Sequence, residues 1–129
     1  MTKRVWLGFI AICLSLSVGT AHAYTGATFM AGKELRNMCE GIDENGNAKN
    51  TMAVGCSQFV IGVHDTMSTL TFGGLLDKGF VCFPKDYSGP ELSLVVKDYL
   101  DDNPDREEEP ANMLVAVAFV QKFPCPSDN

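Results

Sequence analysis

The chain is expected to be all-α: a small four-helix bundle with two disulfides. Three observations predict it. Apolar residues recur at helical spacing in four separate stretches. Clusters of glycine, asparagine and proline divide those stretches. An even number of cysteines follows an N-terminal export-type leader, so the folded part is expected to form disulfides.

The leader reads "MTKRVWLGFIAICLSLSVGTAHAYTG". Lys3 and Arg4 form a basic start, an apolar run follows from Val5 to Val18, and Ala21-His22-Ala23 is an A-x-A cleavage site. This is the pattern of a secretory signal peptide. The rival is a membrane anchor, but the run falls short of the roughly 20 residues that a span needs. The domain assignment is therefore 1–23 as a cleaved signal peptide and 24–129 as one helical domain, 106 residues long. The basic start and the A-x-A site point to bacterial export and a periplasmic location. After cleavage no second apolar run of that length remains to hold the chain in a membrane.

The first helix is expected over Thr28–Glu40, where Ala31, Leu35, Met38 and Ile42 mark one face. Gly41 and the turn "DENGN" end it. The second covers Asn50–Phe72, with Cys56, Phe59, Val63, Met67 and Leu70 in a stripe and Gly73-Gly74 as the stop. The third opens at "SGPEL", with Ser88 or Gly89 as cap and Pro90 in the first turn; Leu92, Val95, Val96 and Tyr99 form its apolar face. The fourth covers Glu107–Phe123 and stops at Pro124. Its centre, "MLVAVAFV", is apolar all round. A strand is the rival there, but length and the acidic start favour a buried helix.

Processing removes Cys13 and His22 and leaves Cys39, Cys56, Cys82 and Cys125. Four helices with modest connections tend to pack up-down-up-down. Cys39 and Cys56 then lie toward one end, and Cys82 and Cys125 toward the other. Of the three connectivities, Cys39–Cys56 with Cys82–Cys125 is the one that crosses nothing. The hook Pro124-Cys125-Pro126 would fasten a tail that otherwise frays.

Reactive chemistry is poorly represented. Cysteines that are all oxidised supply no thiolate for a Cys-His pair. His64, the one histidine left after processing, sits with Asp65 in mid-helix off the main stripe, as an exposed or partner-facing residue. No C-x-x-C pair or haem-attachment motif occurs, and one histidine is too few for the usual catalytic zinc sets. The glycines at 73, 74 and 79 lack the lysine context of a phosphate loop. "DENGN" has calcium-loop spacing at Asp43, Asn45 and Asn47, but Val54 stands where the bidentate Glu belongs. No cofactor or metal is implied, and no enzyme activity is expected.

Loss of Lys3 and Arg4 leaves 8 basic against 16 acidic residues, a net charge of −8. Such a chain does not suit nucleic acid or anionic membranes; it suits a basic protein partner. The charge is concentrated in "LDDNPDREEEP", which carries six acids and one arginine between Asp101 and Glu109. Asp105 and Glu108 resemble a capping box, and acids suit the start of a helix. Capping needs one or two acids, so six also suggest a solvated or partner-facing surface. Gly55 and Gly62 lie on one side of the second helix and suggest close approach by another backbone, either inside the bundle or at a homodimer seam.

The ordered segments "GKELRNMCEG", "GCSQFVIGVHDTM", "FVCFP" and "VVKDYLDDNPDREEEPANMLVAVAFVQKFPC" together resemble the Rap/Tai family of periplasmic immunity proteins. The resemblance implies a small helical domain that binds and blocks a cell-wall amidase delivered by a type VI secretion system, commonly as a dimer. The partner is then a protein effector, blocked sterically by a rigid loop, with acids steering a basic effector. The contact residues expected first are Asp101, Asp102, Asp105, Glu107, Glu108 and Glu109. A second surface is the connection after the second helix, Phe72 to Lys78 with Gly73 and Gly74, and His64 and Asp65 nearby. The rival function is a periplasmic stress chaperone, a holdase that exposes apolar surface in acid.

Overall fold

The computed structural model describes residues 29–126. The signal-peptide segment and the expected helix start at Thr28 lie outside the described residues. Four helices follow in order: α1 (Gly32–Cys39), α2 (Thr51–Phe72), α3 (Gly89–Asp102) and α4 (Ala111–Lys122), with a 3-10 turn at Pro104–Arg106. Isolated bridges at Ala31–Pro110 and Ile42–Ala48 are the extended pairings among the described residues.

Local chemistry sets most boundaries. The Asn50 side chain accepts the Ala53 N–H at 2.9 Å and caps α2. Gly73 closes the helix and Gly74 follows with φ +71°. That left-handed residue turns the chain back, so that Leu75 and Leu76 donate their N–H groups to the Leu70 carbonyl. Ser88 and Glu91 form a reciprocal capping box at α3, with Pro90 in its first turn.

Helix α4 begins four residues later than its acidic approach suggests. Glu109 precedes Pro110, and a residue before proline is pushed out of the helical region. The segment instead serves α1. Gly32 N–H donates to the Glu109 carbonyl at 2.8 Å, and Lys33 N–H to the Glu107 carbonyl at 2.7 Å. These bonds satisfy donors that a helix start leaves open. In return Ala111 N–H donates to the Met30 carbonyl at 3.0 Å. The Asp105–Glu108 capping box does not form, and Pro110 is the N-cap.

Ser57 meets Ser93 across α2 and α3, and Ile61 meets Gly89, so these helices run in opposite directions. Helix α4 then returns from the end of α3 to the α2–α3 loop, where the Phe123 carbonyl accepts the Cys82 N–H. Helix α1 departs from a strict up-and-down path. Its start touches the entrance of α4, Arg36 donates to the Leu100 carbonyl near the end of α3, and Cys39 joins Cys56 near the start of α2. All these partners belong to one end of the bundle. Eight residues span about 12 Å, so α1 closes that end rather than lining its length.

The core is built from Leu35, Val60, Val96, Leu114, Val115 and Phe119, each at most 1% exposed. "MLVAVAFV" is helical: Leu114, Val115, Ala118 and Phe119 are buried, and its remaining residues are half-buried. Gly55 and Gly62 are not a shared seam inside the bundle. A Cβ at Gly55 would meet the tip of Met38, whereas Gly62 has nothing within 4 Å. Gly62 instead opens onto a groove of about 420 Å³ lined by Phe59, Val63, Met67, Asn112 and Ala116.

The disulfides are Cys39–Cys56 and Cys82–Cys125, with Cα atoms 5.2 and 4.9 Å apart. The first closes 17 residues and the second 43. Loop-closure entropy gives them about 3 and 4 kcal/mol of stabilisation. Replacing both Cys39 and Cys56 by alanine is expected to lower unfolding free energy by about 3 kcal/mol. Chemical denaturation of the variant beside the parent chain checks this.

Candidate functional site

The connection from α2 to α3 presents large apolar side chains to solvent. Phe72 is 95% exposed, Leu75 77% and Phe80 45%. Burying such groups against a partner would be favourable. Gly73 and Gly74, which turn the chain at the tip, are exposed as well. The Asp77 carboxylate accepts the Gly79 N–H at 2.7 Å, and the Asp77 carbonyl accepts the Phe80 N–H, so the second half of the loop folds on itself.

The base of the loop is fastened. Val81 is buried, Cys82 N–H donates to the Phe123 carbonyl at 3.0 Å, and Cys82 is bonded to Cys125. Phe83 packs edge-on against Phe119 at 5.2 Å between ring centroids and lies 5.5 Å from Phe123; Tyr87 meets Phe123 at 4.7 Å. The proline-flanked tail is thus the other half of the loop's anchor.

His64 belongs to this base. Its ring meets Phe83 at 4.4 Å and Phe119 at 6.3 Å, and Nδ1 lies 3.0 Å from Asp65 Oδ1. The expected exposed, partner-facing histidine is therefore half-buried among aromatic rings, while Asp65 beside it faces solvent. The sequence pattern put His64 off the α2 stripe and gave no sign that it would pack between Phe83 and the core residue Phe119.

The acidic segment lies at the other end of the bundle. Helix α3 separates the two regions along about 21 Å, from Gly89 beside the loop to Asp102. The six acids divide by role. Glu109 forms a two-point ion pair with Arg106, with contacts at 2.7 and 2.6 Å, and Arg106 also donates to the Tyr99 hydroxyl. The guanidinium holds the Glu109 carboxyl below its usual range, and the carboxylate raises Arg106 above its own. Asp101 pairs with Lys97 one turn earlier. The Glu107 carbonyl is spent on α1, and its side chain is half-buried. Asp102, Asp105 and Glu108 are exposed and make no ion pair among the described residues.

Other chemistry is sparse. All four described cysteines are in disulfides. No three His, Cys, Asp or Glu side chains among the described residues are grouped to hold a metal ion. In the "DENGN" turn the Asp43 carboxylate accepts from the Asn45 and Asn47 amides and pairs with Lys49 at 2.7 Å. It is a turn-former, in keeping with its sequence. Leu75 lies inside the expected loop surface, but Phe80 lies beyond it. The available signal was "GGLLDKGF", apolar residues without helical or strand periodicity between two glycine stops.

A family model described as Rap1a immunity proteins matches residues 31–125, a span that holds all four disulfide cysteines and the loop. No curated protein matches the chain.

Three carboxylates, Glu109, Glu91 and Asp43, are held below their ordinary values by Arg106, Ser88 and Lys49 respectively. A depressed folded-state value adds stability above the unfolded value, and that stability is lost as pH falls through the folded value. The thermal midpoint is therefore expected to hold from neutral pH to about 5 and to fall below about 4.5. Glu109→Gln should lower stability at neutral pH by about 1 kcal/mol or less, since the pair is partly screened, and flatten the acid limb. Thermal unfolding from pH 7 to 3 checks both.

Proposed function

The chain belongs to the Rap1a immunity protein family, and from that premise we propose that it is a periplasmic inhibitor of a type VI secreted peptidoglycan amidase. The family makes it an immunity protein whose partner is a secreted effector. The amidase, the compartment and the mode of blockade are our reading. In it, the loop with Phe72, Leu75 and Phe80 enters the effector's substrate groove and fills it.

The observation that carries this reading is the exposure of those three side chains, at the end of α2 and on the connection that follows it, above a base fixed by a disulfide. Exposed apolar groups supply binding energy when a partner desolvates them. A fastened base means little chain freedom is lost on docking. The protein then acts by occupancy, with no chemical step of its own. Periplasmic placement is supported by the leader sequence and the two disulfides.

Asp102, Asp105 and Glu108 lie too far from the loop to join one patch with it. Their contribution is long-range: they add to a negative field that speeds the approach of a basic effector. The loop sets how long the complex lasts, and the charges set how fast it forms.

Co-expression with the neighbouring effector gene and affinity purification test the partner directly; failure to recover a complex that blocks muropeptide cleavage would sink the proposal. Phe72→Ser and Leu75→Ser are each expected to weaken binding by about 10- to 100-fold, mainly through faster dissociation. Neutralising Asp102, Asp105 and Glu108 as Asn, Asn and Gln should slow association a few-fold, to about one third at low salt, and leave dissociation unchanged. Surface plasmon resonance at two salt concentrations separates the two effects. Apolar-dye binding that appears only near pH 3, without a stable effector complex, would favour a stress chaperone instead.

A further inference from the structure

The two disulfides sit in different surroundings. Cys39 and Cys56 are 1% and 0% exposed within the core. Cys82 is exposed and Cys125 half-buried, on a tail whose flanking prolines at 124 and 126 are themselves exposed. We propose that the Cys82–Cys125 bond is a reducible catch on the apolar loop, while Cys39–Cys56 is a structural bond that reductants reach only when the core opens.

Access governs thiol–disulfide exchange, because the attacking thiolate must reach a sulfur in line. A dithiol can do so at the exposed bond. Its thiolate bonds to one sulfur and expels the other cysteine as a thiolate, which takes up a proton. The second thiol of the reductant then displaces the first cysteine and closes a ring disulfide. The protein gains two thiols and two electrons, and the dithiol is oxidised by two. The same dithiol finds no path to Cys39 or Cys56.

The loop has few other ties. Among the described residues, Gly74, Leu75 and Leu76 bond back to Thr71 and Leu70 of α2 at its start, and between that turn and the α3 cap one backbone hydrogen bond joins it to another element, from Cys82 to Phe123. Val81 and Phe83 hold the base by apolar contact, whereas residues 77–80 are exposed, with Asp77 bonded within the loop and the Lys78 carbonyl 3.6 Å from Cys125 Sγ. Opening the catch also releases the tail beyond Phe123, which carries no helical bonds. The core survives, since Phe119, Leu114 and Val96 are buried independently of the bond. In the reduced chain the loop loses its fixed shape, and with it the preorganisation that favours docking. This last consequence rests on the functional reading above; the selective reduction does not.

The test uses the processed full chain, graded dithiothreitol, iodoacetamide trapping and peptide mass spectrometry. Cys82 and Cys125 are expected to be alkylated at least about ten times faster than Cys39 and Cys56. At that stage far-UV circular dichroism should be unchanged, and chymotrypsin should cut after Phe72, Leu75 and Phe80 about tenfold faster. A variant with Cys82→Ala and Cys125→Ala should match the selectively reduced protein without any reductant. Simultaneous alkylation of both pairs overturns the proposal. So does helix loss in the double variant, or a loop no easier to cut once the bond is open. A freed loop with unchanged effector affinity would leave the catch standing and remove the loop from the binding mechanism.

Discussion

Cys39 and Cys56 join one end of the bundle at a Cα separation of 5.2 Å, and Cys82 and Cys125 join the other at 4.9 Å. A domain of this size buries a modest fraction of its surface, and the entropy of ordering its chain nearly cancels what burial supplies. Cross-linking removes open conformations from the competing unfolded ensemble. The margin so gained lets the molecule leave Phe72, Leu75 and Phe80 in water instead of recruiting them to the core.

The two ends use that margin differently. At the α1 end, polar groups are turned inward to solve structural problems. The carbonyls of Glu107 and Glu109 satisfy the first donors of α1, and Arg106 locks Glu109 and Tyr99 together at the α3–α4 corner. At the loop end the aromatic rings of Phe83, Phe119, Phe123 and His64 pack together as a floor, and Phe72 and Leu75 stay exposed among the described residues. The inhibition by occupancy proposed above would draw on this division: a fastened base, and a tip with unspent apolar area.

Much of the fold was legible because its signals are local. Asn50, Gly73-Gly74 and the Ser88–Glu91 pair each act within a few residues, and each marks a helix end as expected. The disulfide pairing followed from which helix ends share a side. What escaped depends on contacts distant in sequence. The start of α4 is displaced because Glu107 and Glu109 are used by α1, more than 70 residues earlier. Only the proline after Glu109 hinted at this. His64 looked exposed because Phe83 reaches it from the next connection. Of the six acids, Asp105 and Glu108 were the ones expected to cap, yet the arginine between them selected Glu109, a choice made by geometry rather than composition. The two surfaces expected to meet a partner are held apart by the length of α3.

The strap between α1 and the approach to α4 also orders events in time. An eight-residue helix does not persist alone in water. Its first donors wait for carbonyls at 107 and 109, so the first of the described helices is capped only when the approach to α4 is in place. Cys39 can meet Cys56 early, only 17 residues on, but the open start of the helix gains nothing until nearly the whole domain has emerged. The first turn of α1 therefore stays uncapped until residue 109 has been made, and in the export proposed above that delay would ease threading through a narrow pore.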